Sequence, residues 1–158
     1  MGLIAAPAHA WPQTLVGVRA GALAPGLTNV DVGPSLGVSA SLAVLRQLAA
    51  ELAFDQSVHF FPKGQAALSA LSLGFQVRLD AAPAVPFLGV ALSGSRYSPP
   101  AGEAVLGLSG ALFAGALFPL GEHWVLGAEV RYGAQLTTGD WPTSTAVCLL
   151  FAWRSGEF

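Results

Sequence analysis

Three residues of this 158-residue chain have the types and spacing for nucleophilic hydrolysis: Asp55, Ser57 and His59. A serine hydroxyl becomes a nucleophile when an imidazole accepts its proton, and a carboxylate can orient that imidazole. Residues two apart share one face of an extended strand, so all three side chains point the same way. Their spacing argues against direct contact, because alternate residues on a strand lie roughly 6.5–7 Å apart. His59, near the end of its segment, reads as a polar rim residue, and His123, beside Trp124, as a solvated turn residue. The single Cys148 excludes an internal disulfide framework and makes a zinc cluster unworkable. No metal-ligand spacing occurs. Gly107-Leu108-Ser109-Gly110 lies within an apolar segment, where its glycines make room in an interior rather than cradle a phosphate. The expectation is a protein that is not an enzyme, with no catalytic residue, metal or cofactor.

The charged residues are few: seven basic and nine acidic, a net charge of −2, in a chain that is 53% hydrophobic. That balance leaves no electrostatic footprint for nucleic acid and no disordered tail. Six charges, Arg19, Glu51, Asp55, Arg78, Glu129 and Arg131, fall inside apolar segments. Buried charges persist only when paired, so these three cations and three anions are expected to form one ion-pair network, with Glu51 opposite Gln76 and Arg78.

The elements that carry these residues follow a period of two. Leu48, Ala50, Leu52, Phe54, Gln56, Val58 and Phe60, apolar but for Gln56, alternate with Ala49, Glu51, Ala53, Asp55, Ser57 and His59. Trp124, Leu126, Ala128, Val130, Tyr132, Ala134 and Leu136 alternate in the same way with Val125, Gly127, Glu129, Arg131, Gly133 and Gln135. One long uncharged window, Ala104 to Gly121, reaches the lower limit for a membrane helix, but three internal glycines and flanks without the Lys/Arg asymmetry that orients helical spans argue against one. Turn residues divide the chain into eight segments: 14–23, 32–43, 48–60, 67–79, 85–97, 105–117, 124–136 and 144–154. Connections this short cannot hold crossover helices, so neighbours pair antiparallel. Long strands with one apolar face each match a transmembrane sheet, which must close because an unpaired edge in lipid is costly. The predicted fold is all-β: an eight-stranded antiparallel up-and-down transmembrane β-barrel with short loops.

Residues 1–10 end in Ala8-His9-Ala10, a small-x-small pattern, and read as the remnant of a signal peptide; residues 11–158 form the single barrel domain. An even strand number puts both termini on one side, here the periplasm. Trp11, Phe118, Trp124 and Trp153 then mark one membrane interface, and Phe60, Phe61, Tyr97 and Trp141 the other. Arg96 has lipid-facing parity at a strand end, where it can snorkel.

On this pattern residues 14–154 resemble the small eight-stranded outer-membrane barrels, the OmpA-like transmembrane domain and OmpX-like families. The resemblance implies a bacterial outer-membrane location, outer-membrane lipids as surroundings, the barrel-assembly machinery as a partner during biogenesis, and envelope proteins as further partners. The last segment alternates Val147, Leu149, Phe151 and Trp153, as such barrels do near their ends, although Arg154-Ser155-Gly156-Glu157 intervene before Phe158. A barrel of this size is filled by its own side chains, so a structural or envelope-interaction role is expected, not an open pore. Two alternatives stand beside it. One is a carrier of small hydrophobic molecules through a lateral opening. The other is a lipid-modifying enzyme, opposed by Ser57 and His59 facing the lumen while lipid lies outside.

Overall fold

Alternating apolar and polar residues suit a sheet with two unlike surroundings, and the β-branched and aromatic residues of the apolar set pack on a pleated surface. A computed structural model describes residues 14–26, 31–61, 64–79, 83–137 and 143–155. In it the chain forms eight strands: β1 (Thr14–Pro25), β2 (Gly33–Ala43), β3 (Leu48–Phe61), β4 (Gly64–Arg78), β5 (Val85–Ser98), β6 (Val105–Leu120), β7 (Trp124–Gln135) and β8 (Thr143–Ser155). Each pairs antiparallel with the next, and β8 returns to β1, from Thr14 opposite Ser155 to Pro25 opposite Ser144. The sheet is a closed barrel in sequence order. The eight segments read from the sequence correspond to these strands, with ends shifted by no more than three residues.

Connections 44–47, 79–84 and 121–123 lie at the end of the barrel that holds Thr14 and Ser155, called here the terminal end. Connections 26–32, 62–63, 99–104 and 136–142 lie at the distal end. Among the described residues no helix is long and apolar enough to cross a membrane, so the window from Ala104 to Gly121 is a strand, not a span.

The two faces of the wall differ sharply. Outward positions include Val18, Val38, Phe54, Phe75, Val90, Leu112, Val130 and Leu149, one from each strand, all exposed. Inward positions carry most of the strand charges, serines and glycines. The interior is layered along its axis. At the terminal end Leu15, Val85, Phe87, Phe113, Leu117, Val125 and Ala152 form a buried apolar plug. Phe87 and Phe113 cross at 59° with centroids 6.2 Å apart. Each ring lies over a glycine of the neighbouring strand, Phe87 opposite Gly115 and Gly89 opposite Phe113. A Cβ on Gly89 would meet Phe113 Cε2 at 2.6 Å, and one on Gly115 would meet Phe87 Cε1 at 2.8 Å. Both glycines are therefore required by the close approach of an aromatic ring.

Candidate functional site: the barrel lumen

Above the plug sits a layer of charge. Strands β1, β3 and β7 bring their inward residues to the same height, and five of the six charges selected from the sequence meet there. Arg19 Nη2 bonds Glu129 Oε1, while its Nη1 lies 3.5 Å from Glu51 Oε1 and 3.7 Å from Asp55 Oδ2. Arg131 reaches Glu51 Oε1 through Nη2 at 2.8 Å and Glu129 Oε1 through Nε at 3.1 Å. The Arg131 guanidinium also stands 4.6 Å from the centroid of Phe113, its direct partner across β6 and β7, which couples the charge layer to the plug. Each arginine thus holds at least two carboxylates, which is what permits five charges in so small a volume.

Arg78 stands apart from this layer, contrary to the sequence expectation. Glu51 pairs with Gly74, not with Gln76 or Arg78. Arg78 lies at the terminal end of β4, opposite Phe87, and donates Nη2 to Ser41 Oγ at 2.6 Å. Its Nε and Nη1 find no hydrogen-bond partner among the described residues. The physical reason is stagger: in a tilted barrel, residues that look level in a hairpin drawn flat separate along the axis.

The distal half of the lumen is a vestibule floored by Arg19 and Arg131 and walled by Ser35, Ser57, Ser72, Ser93, Ser95 and other small residues. It offers about 90 Å³ to water, room for a few molecules. Ser57 and His59 are both buried here, and Ser57 Oγ lies 3.0 Å from His59 Nε2. Two expectations are corrected by that distance. Alternate Cα atoms on the strand are far apart, yet the side chains lean together and bond directly. His59 is also no rim residue; it is wholly buried, with Nδ1 3.3 Å from the backbone oxygen of Asp31. Asp55 does not complete a triad, because it faces Arg19. Cys148 is a free, buried thiol on the same vestibule, and among the described residues no cluster could hold a metal ion.

The comparisons with known proteins agree on the architecture. Neisserial surface protein A aligns over 90% of this chain and 96% of its own, with TM-score 0.73 and 15% identity. The N-terminal β-barrel domain of Pseudomonas aeruginosa OprF covers 92% of this chain and all of that one, at TM-score 0.62 and 12% identity. Ail, the attachment invasion locus protein of Yersinia pestis, covers 90% and 96% at TM-score 0.56 and 14% identity. The fold is that of the small eight-stranded outer-membrane barrels. No protein-family model matches the chain, and no curated protein matches its sequence.

In this barrel class the outer wall meets lipid, and the aromatic residues sort accordingly. Phe118, Trp124 and Trp153 are exposed at the terminal end, where Trp124 pairs with Trp153 and stacks on Phe151 at 4.9 Å. Phe60 is exposed at the distal end. Phe61 and Tyr97, assigned to the same distal girdle from sequence, have inward parity instead: Phe61 follows the buried series Ser57 and His59, and Tyr97 the series Phe87 and Ser93. Both were read as girdle residues from their position at strand ends, without regard to the pleat. Trp11 and Trp141 lie outside the described residues, as does segment 1–10. Gly107 faces the lumen as expected, but Gly110 has the opposite parity and faces out. The plug residues Phe87, Phe113 and Leu117 were missed. The available signal was parity, since in 104–121 the leucines at 106, 108 and 112 occupy even positions while Phe113 and Leu117 are odd.

Proposed function

We propose that this chain is an integral protein of a bacterial outer membrane, a barrel with a side-chain-filled lumen and a structural or envelope-interaction role. The observation that carries this reading is the outer wall. Around all eight strands the outward positions are apolar or small apart from Gln56, Gln65 and a few hydroxyl-bearing residues, and Arg96, near the distal end of β5, is the one charged residue among the described outward-facing strand positions. Water-soluble proteins rarely expose apolar patches beyond a few hundred Å², whereas a continuous belt is what a bilayer requires. On β3 the outward residues from Ala50 to Phe60 climb about 25 Å at the usual strand tilt, matching the apolar band of outer-membrane barrels.

The lumen speaks for a filled barrel. A plug of seven apolar side chains lies at the terminal end beneath the charge layer, which supports a filled barrel over an open pore. A carrier of hydrophobic molecules would need a lateral door, whereas the strand ladders run without a break; the vestibule itself mixes serine hydroxyls with Leu23, Leu68, Ala70 and Ala146. Proposed surroundings are the outer-membrane lipids, with barrel-assembly machinery engaged through the alternating outward residues of β8 and envelope proteins as mature partners. Both termini, on one side because the strand number is even, are assigned to the periplasm.

The test is topological. An epitope inserted at Gly64 should be accessible on intact cells, one at Glu122 only after permeabilisation, and the chain should fractionate with the outer membrane. Reversed accessibility overturns the orientation. Recovery in the soluble fraction overturns the location.

A further inference from the structure

We propose that Ser57 is an activated nucleophile with His59 as its general base, able to take a short acyl group from an activated ester that enters the distal vestibule. This goes beyond the envelope role and rests on three observations. First, Ser57 Oγ and His59 Nε2 are 3.0 Å apart, within the reach a nucleophile and base require. Second, the surroundings favour the productive tautomer. His59 Nδ1 lies 3.3 Å from the backbone oxygen of Asp31, which can only accept, so a proton on Nδ1 is matched there and Nε2 is left to present its lone pair to the serine. The Ser57 O–H donates to Nε2, which leaves its own lone pairs free. Third, Ser57 lines the vestibule, alongside Arg19, Arg131 and the hydroxyls of Ser72 and Ser93.

Size sets the substrate class. A vestibule of about 90 Å³ accommodates an acetyl-sized group and excludes a lipid acyl chain. In the reaction Ser57 Oγ bonds the carbonyl carbon while its proton passes to His59 Nε2. The bond from carbon to the leaving oxygen then breaks, and that oxygen takes the proton from Nε2. The products are acyl-Ser57 and an alcohol. Water, deprotonated by the same nitrogen, attacks the acyl-Ser57 ester and releases a carboxylic acid, returning Ser57 to its starting state. A backbone carbonyl stabilises an imidazolium less than a carboxylate does, so the transfer is slow and covalent labelling is the sensitive readout.

The experiment treats the folded barrel in detergent with methanesulfonyl fluoride, in which the serine oxygen displaces fluoride from sulfur and the proton leaves through His59. Intact mass gives the rate, and peptide mapping gives the site. The expected result is one adduct on Ser57, formed about a hundredfold faster than on the same chain unfolded in urea, and slowed about a hundredfold in His59→Gln. Ser69→Ala serves as the control. Ser69 occupies an outward position of β4, away from the vestibule, so its loss should leave the labelling rate unchanged. Folding of each variant is read from heat-modifiable migration. No adduct on the folded wild type, labelling spread over several serines, or an unchanged rate in folded His59→Gln each overturns the proposal. Should His59→Gln not fold, the folded-to-unfolded rate ratio and the mapped site in the wild type decide alone.

Discussion

Glu129 and Val130 are consecutive on β7 and face opposite solvents, so replacing each in turn tests the assignment of inside and outside. Glu129 is 7% exposed and Val130 is 52% exposed. Glu129 Oε1 accepts from Arg19 and, at 3.1 Å, from Arg131 Nε. Removing it in Glu129→Ala leaves two buried cations with two carboxylates: Glu51, 2.8 Å from Arg131, and Asp55, 3.7 Å from Arg19. Breaking a buried pair costs about 3–5 kcal/mol, and the remaining carboxylates hold the loss to the lower end, about 3 kcal/mol. Val130 lies six residues beyond Trp124, about 16 Å along the barrel axis at the usual rise and tilt, near the middle of the apolar band. Val130→Arg therefore puts a cation at mid-membrane and should cost about 2–4 kcal/mol. Urea unfolding in lipid vesicles measures both. Gln135→Ala is the mild comparison, since the Gln135 Oε1 atom has no hydrogen-bond partner to lose. If Val130→Arg and Glu129→Ala are both silent, the face assignment of β7 is wrong.

Other consequences follow from the same layering. Phe113→Ala removes the centre of the plug and the ring beneath Arg131, and should destabilise the barrel by about 3–5 kcal/mol in the same assay. A loss under about 1 kcal/mol would show that the plug is not close-packed. In planar bilayers the wild-type barrel should give no steady ion conductance, because the plug lies at the terminal end; a stable open level would contradict the filled lumen. Replacing Ser41 with Ala removes the described partner of the buried Arg78 guanidinium and should cost about 1–3 kcal/mol of unfolding free energy. An unaffected midpoint would mean that Arg78 is satisfied by water.

Strand number, pairing and the inward set of charges were legible because each depends only on a period of two. Glu51 and Asp55, or Glu129 and Arg131, share a face whatever the barrel's shear, so their convergence could be read from parity alone. Arg78 has the same parity but the wrong height, and height depends on stagger, which no single strand encodes. Phe61 and Tyr97 were misplaced for the opposite reason: their height was right, and the pleat was ignored. The Ser57–His59 contact was hidden by Cα spacing, because side-chain lean on a coiled strand brings together atoms whose backbone positions are well separated. The reciprocal Phe87–Gly115 and Phe113–Gly89 pairs needed the register of β5 with β6, which turn lengths in the sequence fixed only to within a residue or two.

The central claim is that this chain closes into a barrel within a bilayer. The most direct measurement folds it into lipid vesicles and compares boiled with unboiled samples on a denaturing gel, with a far-ultraviolet circular dichroism spectrum of the same preparation. A closed barrel predicts a β-sheet spectrum and a distinct unboiled band, because the sheet resists detergent until heated. Identical migration together with a helical spectrum would contradict it.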